Sequence, residues 1–279
     1  MTGGSAVFAS PMPPRRPLLK LHTPCGGWGW GYNLVIMTKV SIPKEERIQF
    51  FVHIIESPNP PDVYHKRFEG DALQKILSLD SIHSSHRLTV NKEAFEAAFK
   101  VGLIEEIKKY NNCFPVIHIS AHGNPDGIKL TSDEIITWID LKNILLPINK
   151  ALQESAHSPV FLLCMSSCEG FHAFEIFMDD DKYLPCFAIV GAIGKPTWSD
   201  TLIAFSSFYH LISKGCTITD AVEGMKHASA VDDFNYIASK DIKDLYIKWK
   251  ASRNIGNLIA REMRGNPPSQ TAIELEKTV

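Results

Sequence analysis

The chain reads as an α/β protein: a mostly parallel sheet of about six strands with helices on both faces. Three observations point there. Apolar runs such as "FFVHII", "PVIHISA", "VFLLCM" and "CFAIVGA" are continuous rather than alternating, the pattern of strands covered on both sides. Segments with apolar residues at helical spacing stand between them, so that strand and helix alternate. With 279 residues, 44% apolar and 22% charged, the chain has the length and composition of a globular domain able to bury a large core.

Taken in order, Arg47–Glu56 is the first strand, closed by the loop signal "SPNPPD". Glu69–Leu79 carries Leu73, Ile76 and Leu77 on one helical face, and His86–Val90 is a short strand. Asn91 caps a helix over Lys92–Tyr110, striped by Phe95, Phe99, Leu103 and Ile107. Pro115–Ala121 is the next strand. Asp126–Gly127 is a turn signal, and "IKL" with "EIITW" forms a small hairpin. Asp140 caps a helix over Leu141–Glu154, disturbed at Pro147. Ser158–Met165 and Cys186–Ala192 are two further buried strands, with a helical stretch Phe171–Met178 between them. Helices at Ser199–Ser213 and Thr219–Ala230 flank Gly215, and an amphipathic helix covers Lys240–Lys250.

Residues 1–36, rich in Pro and Gly and without the apolar core of a signal peptide, read as an unstructured tail, with Met37 as an alternative native start. The globular domain is expected over 37–253, and 254–279, with "GNPPSQ" inside it, is read as a weakly ordered tail.

Several function classes are disfavoured. A net charge of −2 gives nucleic acid no electrostatic footing. No apolar run approaches the roughly 18 residues of a membrane span. The six cysteines, at 25, 113, 164, 168, 186 and 216, are irregularly spaced and come with no secretion signal, which suits free thiols in a reducing cytoplasm. Cys164 and Cys168 with His118, His122 and His172 would be a conceivable metal cluster, but the cysteines lack CxxC spacing, and no metal or organic cofactor is expected. A dinucleotide binder needs a glycine-rich turn after its first strand, and "ESPNPPD" has none. Gly26–Gly31 is glycine-rich but has no strand before it and no helix after it.

In parallel α/β sheets the ligand site lies outside the carboxyl ends of the strands, so the loops after residues 56, 121, 165 and 192 matter most. Two of them carry chemistry. His122–Gly123 follows one strand, and Ser166–Ser167–Cys168–Glu169–Gly170 follows another. If those strands are neighbours, roughly 5 Å apart, imidazole and thiol can meet across their ends. A cysteine with its ordinary pKa of about 8.5 is mostly a thiol at neutral pH, and a histidine beside it can take the proton or stabilise the thiolate. The amides of Gly123 and Cys168 are candidates to hold the oxyanion formed when the thiolate attacks a carbonyl. His118, on the same strand face as His122, reads as a buried, hydrogen-bonded residue, and Cys164, inside its strand, as a small core residue.

"HISAHG" followed by "LLCMSSCEG" resembles the His–Gly and Cys motifs of caspase-like (clan CD) cysteine peptidases. "GKPTWSDTLIAFSSFYHLISKGCTITDAVEGMKHA" is similar to the end of the CHAT-domain branch, and the resemblance spans roughly residues 47–231. It implies that His122 is the catalytic histidine, Cys168 the nucleophile and Gly123 an oxyanion-hole donor. It also implies a protein substrate or regulatory partner, commonly cleaved in triggered signalling or defence. Ser167 stands where many relatives have alanine, and the tetratricopeptide repeats often attached to such domains are absent from this sequence. Trp198 and Asp200 are read chiefly as helix-start residues, with lining of the pocket for the residue before the cleaved bond as the second reading. Acidic Glu169 and Asp200 there would favour a basic or uncharged residue over aspartate. The competing function is a catalytically silent caspase-like module that binds a partner, for which a paired His and Cys would have no use.

Overall fold

The structure is a computed structural model that describes residues 48–156, 161–178 and 183–252. The expected tails, 1–36 and 254–279, lie outside the described residues.

Six strands form the main sheet in the order β2-β1-β3-β6-β7-β8. They are β1 (Phe50–Ser57), β2 (His83–Leu88), β3 (Phe114–Asn124), β6 (Leu162–Ser166), β7 (Ala188–Ala192) and β8 (Phe234–Ala238). All neighbours run parallel except β8, which is antiparallel to β7. The hairpin β4 (Gly127–Lys129) and β5 (Ile135–Thr137) pairs with the far end of β3. The α/β reading therefore holds.

Alternation of side chains sorts each strand into two cores. On one face Phe51, Ile55, Ile117, Ile119, Leu163 and Met165 pack with Phe95, Phe99 and Leu103, and with Leu141 and Leu145 of α5 (Trp138–Ala156). On the other face Val52, Ile54, Val116, Leu162 and Val190 meet Leu73 and Leu77 of α2 (Glu69–Leu79), Phe205, Phe208 and Tyr209 of α6 (Trp198–Ser213), and Met225 of α7 (Ile218–Ser229). Each buried aliphatic or aromatic side chain is worth about 1.5–3 kcal/mol of transfer free energy, so both helical layers are fixed by the strands between them.

Local chemistry explains where the elements depart from the sequence reading. "SPNPPD" is more than a loop: the Asn59 side chain accepts from the Asp62 amide, and prolines occupy the first two positions of the short helix α1 (Pro60–Tyr64). The long helix after Asn91 runs as α3 (Lys92–Ala97), a π-helical turn (Ala98–Leu103) and α4 (Ile104–Lys109). His53 Nε2 lies 3.0 Å from the Ala98 carbonyl oxygen, where it competes for the helix's own acceptor. Thr137, not Asp140, caps α5: its hydroxyl accepts from the Asp140 amide while the Asp140 carboxylate accepts from the Thr137 amide. Pro147 sits inside that helix without ending it. Helix α8 (Ser239–Ser252) follows β8, a strand with no expectation behind it. Among the described residues no helix is long and apolar enough to cross a membrane.

Candidate active site

The parallel register sets Ser120 of β3 opposite Ser166 of β6. Two residues beyond each stand His122 and Cys168, so the expected adjacency of the two strands is met. Beyond Ala121, β3 leaves β1 and pairs instead with β4, His122 opposite Lys129 and Gly123 opposite Ile128. β6 ends at Ser166, and the chain turns through Ser167–Cys168–Glu169 into a 3-10 helix, Gly170–Phe177.

Gly123 locks these two turns together. A Cβ there would run into the Cys168 carbonyl oxygen and crowd the Ser167 side chain. Only glycine allows so close an approach, so the His122–Gly123 and Ser167–Cys168 dipeptides lie backbone to backbone. Gly170 is similarly tight against Ser167 Oγ. That oxygen is buried and has no hydrogen-bond partner among the described residues.

Cys168 is half-buried, and burial pushes its thiol above the ordinary value, with Lys195 pulling it down and Glu169 pushing it up. Glu169, next in the chain, is held at φ 55°, the left-handed region rarely adopted by residues other than glycine. Its amide donates to Gly194 O at 2.7 Å, and its carboxylate lies 3.7 Å from Lys195 Nζ. Strained backbone of this kind is held in place only by over-determining contacts and concentrates at functional sites.

His122 presents one ring nitrogen to the β1 loop. Its Nε2 lies 2.9 Å from Asn59 Nδ2 and 3.5 Å from Asp62 Oδ2. The ring meets Trp198 edge to face, with centroids 5.3 Å apart. Asp62 is buried, its Oδ1 paired with Arg67 at 2.8 Å while Oδ2 has no hydrogen-bond partner. Trp198 thus touches the candidate histidine. Asp200 has its carboxylate engaged in the cap of α6, accepting from Thr197 N at 2.9 Å and from Thr197 Oγ1 at 2.7 Å.

Beneath this rim is a polar floor. The buried Glu69 carboxylate accepts from Ser120 Oγ at 2.6 Å and from Ser166 Oγ at 2.7 and 2.8 Å. Burial raises its pKa to about 7, against the pull of hydroxyl donors from Ser120, Ser166 and Thr201. Alongside, Glu56 Oε2 and His86 Nε2 are 2.8 Å apart. Deeper still, His118 Nδ1 is 3.0 Å from Tyr209 Oη, and burial lowers the imidazole to about 3. Cys164, opposite His118 in the ladder, is pushed up to about 12 by burial. Both fit the structural roles read from the sequence. Among the described residues no three or more His, Cys, Asp or Glu converge as a metal site.

Sequence reading missed Asn59, Asp62, Lys195 and Glu69. Asn59 had a visible signal, an N-cap residue directly before two prolines. Nothing in the sequence pairs Glu69 with strand ends that lie far along the chain.

No protein-family model matches this sequence, and no curated protein does. Solved structures similar to this chain include the following three. An inactive zymogen C11 protease from Parabacteroides distasonis has 10% identity over 75% of this chain and 67% of its own, with a TM-score of 0.47. A secreted C11 cysteine protease from Bacteroides thetaiotaomicron, solved with an irreversible peptide inhibitor, has 9% identity over 82% of each chain and a TM-score of 0.49. Caspase-1 from Spodoptera frugiperda has 11% identity over 67% of this chain and 79% of its own, with a TM-score of 0.43.

Proposed function

We propose that residues 37–253 are a cysteine endopeptidase domain of the caspase-like, CHAT type, in which His122 and Cys168 form the dyad. The observation that carries this reading is the Gly123–Cys168 approach, which holds a histidine and a cysteine at adjacent strand ends with a backbone contact that no other residue at 123 would permit. His122 takes the thiol proton as the sulfur attacks the scissile carbonyl, and returns it to the leaving amine. The amides of Gly123 and Cys168 hold the oxyanion of the tetrahedral intermediate. No metal or organic cofactor enters this chemistry.

Trp198 walls the histidine side of the cleft, and Glu169 lies beside the nucleophile. Asp200, committed to its helix cap, shapes that wall rather than contacting substrate. With the acidic Glu169 next to the nucleophile in the chain and acting on its thiol, the residue before the cleaved bond is basic or uncharged. The target is a partner protein, cut in a triggered, cytoplasmic signalling or defence pathway, with a regulatory partner as the trigger. The raised thiol pKa of Cys168 supports a second reading, a silent module that binds a partner without cutting it.

Incubating the chain with a mixed peptide library and sequencing the products separates the two. The peptidase reading expects cleavage that disappears in Cys168→Ala, after basic or uncharged residues. Cleavage confined to aspartate would overturn the specificity. Cleavage unchanged in Cys168→Ala would overturn the dyad.

A further inference from the structure

We infer that Asn59 and Asp62 act as positioning residues that set the tautomer of His122, holding the imidazole inactive at rest and supporting it once charged. The inference rests on the dyad reading above and adds a control to it.

The side-chain Oδ1 of Asn59 is committed as the cap of α1, accepting from the Asp62 amide at 2.7 Å. That bond fixes which end of the amide is oxygen, so the atom 2.9 Å from His122 Nε2 is the NH₂ group, a donor only. A donor facing Nε2 requires a lone pair there. The resting imidazole therefore carries its proton on Nδ1. With Nε2 turned to the β1 loop, Nδ1 is the nitrogen left to meet the thiol, and a protonated Nδ1 cannot accept the Cys168 proton.

Asp62 supplies the alternative. Its Oδ1 is anchored by Arg67 at 2.8 Å, while Oδ2 is buried without a hydrogen-bond partner, 3.5 Å from the same Nε2. A buried acceptor left unsatisfied is costly, so Oδ2 favours any donor brought within reach. Proton exchange with solvent at the partly exposed ring moves the proton from Nδ1 to Nε2. The new Nε2–H then faces the Asn59 NH₂ donor to donor, and a small movement of the ring lets it donate to Asp62 Oδ2 instead. Nδ1 now has a lone pair. The thiol proton passes to it, giving a thiolate and an imidazolium whose Nε2–H remains on the carboxylate. No proton is gained or lost overall.

Two substitutions separate the roles. Asn59→Asp retains the cap oxygen but replaces the donor with an acceptor. Asp62→Asn removes the charge and keeps the shape. The direct readout is the ¹H–¹⁵N spectrum of imidazole-labelled protein, with the His122 signal identified among the 11 histidines by its loss in His122→Gln. The wild type is expected to show the Nδ1–H tautomer at neutral pH, and Asn59→Asp to shift it to Nε2–H.

Alkylation of Cys168 by a peptidyl acyloxymethyl ketone is the second readout. Asn59→Asp should speed it about tenfold, the gain when a competent state near a tenth of the population becomes dominant. Asp62→Asn should slow it by about 10²–10⁴-fold, the scale of losing a carboxylate that orients a catalytic histidine. An Nε2–H tautomer in the wild type, or a tautomer unmoved by Asn59→Asp, overturns the inference whatever the labelling does. The expected tautomer shift with Cys168 unlabelled in every variant keeps tautomer control and overturns the dyad.

Discussion

On β3 and β6, His118 and Cys164 face each other across the ladder, and four residues further along the chain from each come His122 and Cys168. The two pairs share residue types and spacing. They differ in surroundings. Around the inner pair the sheet and α6 close completely: Tyr209 hydrogen-bonds His118, Phe205 packs against its ring, and burial drives imidazole and thiol to about 3 and about 12. Neither can exchange a proton near neutral pH. At the outer pair β3 has left the sheet for the hairpin, the 3-10 turn has begun, and both side chains are partly open to solvent. A histidine–cysteine pair becomes chemically usable where the sheet ends, because only there can a charged form be solvated.

Changes at the outer pair should have the largest effects. His122→Ala should lower the rate of Cys168 alkylation by about 10²–10⁴-fold, the usual worth of a general base, while leaving thermal stability close to wild type. Gly123→Ala should abolish that reactivity and lower the melting temperature, since the added methyl meets the Cys168 carbonyl. Reactivity retained in Gly123→Ala would show that the two turns need not touch.

The inner pair should answer in stability alone. Tyr209→Phe strips a buried hydroxyl from both His118 and Cys164, and denaturant unfolding should show a loss of about 1–3 kcal/mol. Glu69 links the two levels, and its effect depends on pH. Its folded pKa, about 7, lies above the ordinary 4.5, so the folded state holds a proton that the unfolded state has released. The stability contributed by this protonated carboxyl is fully present below about 4.5 and is lost as pH rises through about 7. Glu69→Gln, which stays neutral, should therefore gain on wild type steadily across that window. A difference independent of pH would place the Glu69 pKa near its ordinary value. The smallest effect is expected for Ser167→Ala. Its oxygen is buried without a partner, so removing it should be neutral or should stabilise by about 1 kcal/mol.

Sequence alone showed the layers well, because strands buried on both faces are continuous apolar runs and the helices between them carry clean stripes. Glu69–Leu79 was legible to the residue. Strand β8 was not: at five residues, with Asn235 inside it and four of the five only partly buried, it is too short to stand out from a loop. The π-helical turn was hidden as well, since it depends on His53 reaching the Ala98 carbonyl from another strand. At the site, His122, Gly123 and Cys168 could be picked out because each comes just after a continuous apolar run. Asn59 and Asp62 could not be tied to His122, because "SPNPPD" carries the marks of any tight turn. Their role emerges only when β1 and β3 lie side by side.

The most direct test is to alkylate native protein with a peptidyl acyloxymethyl ketone and quantify every cysteine by mass spectrometry, in wild type and His122→Ala. Modification is expected at Cys168 with Cys164 untouched, and is expected to disappear when His122 is removed. Labelling of Cys168 no greater than that of Cys113 or Cys216, or labelling that survives in His122→Ala, would contradict it.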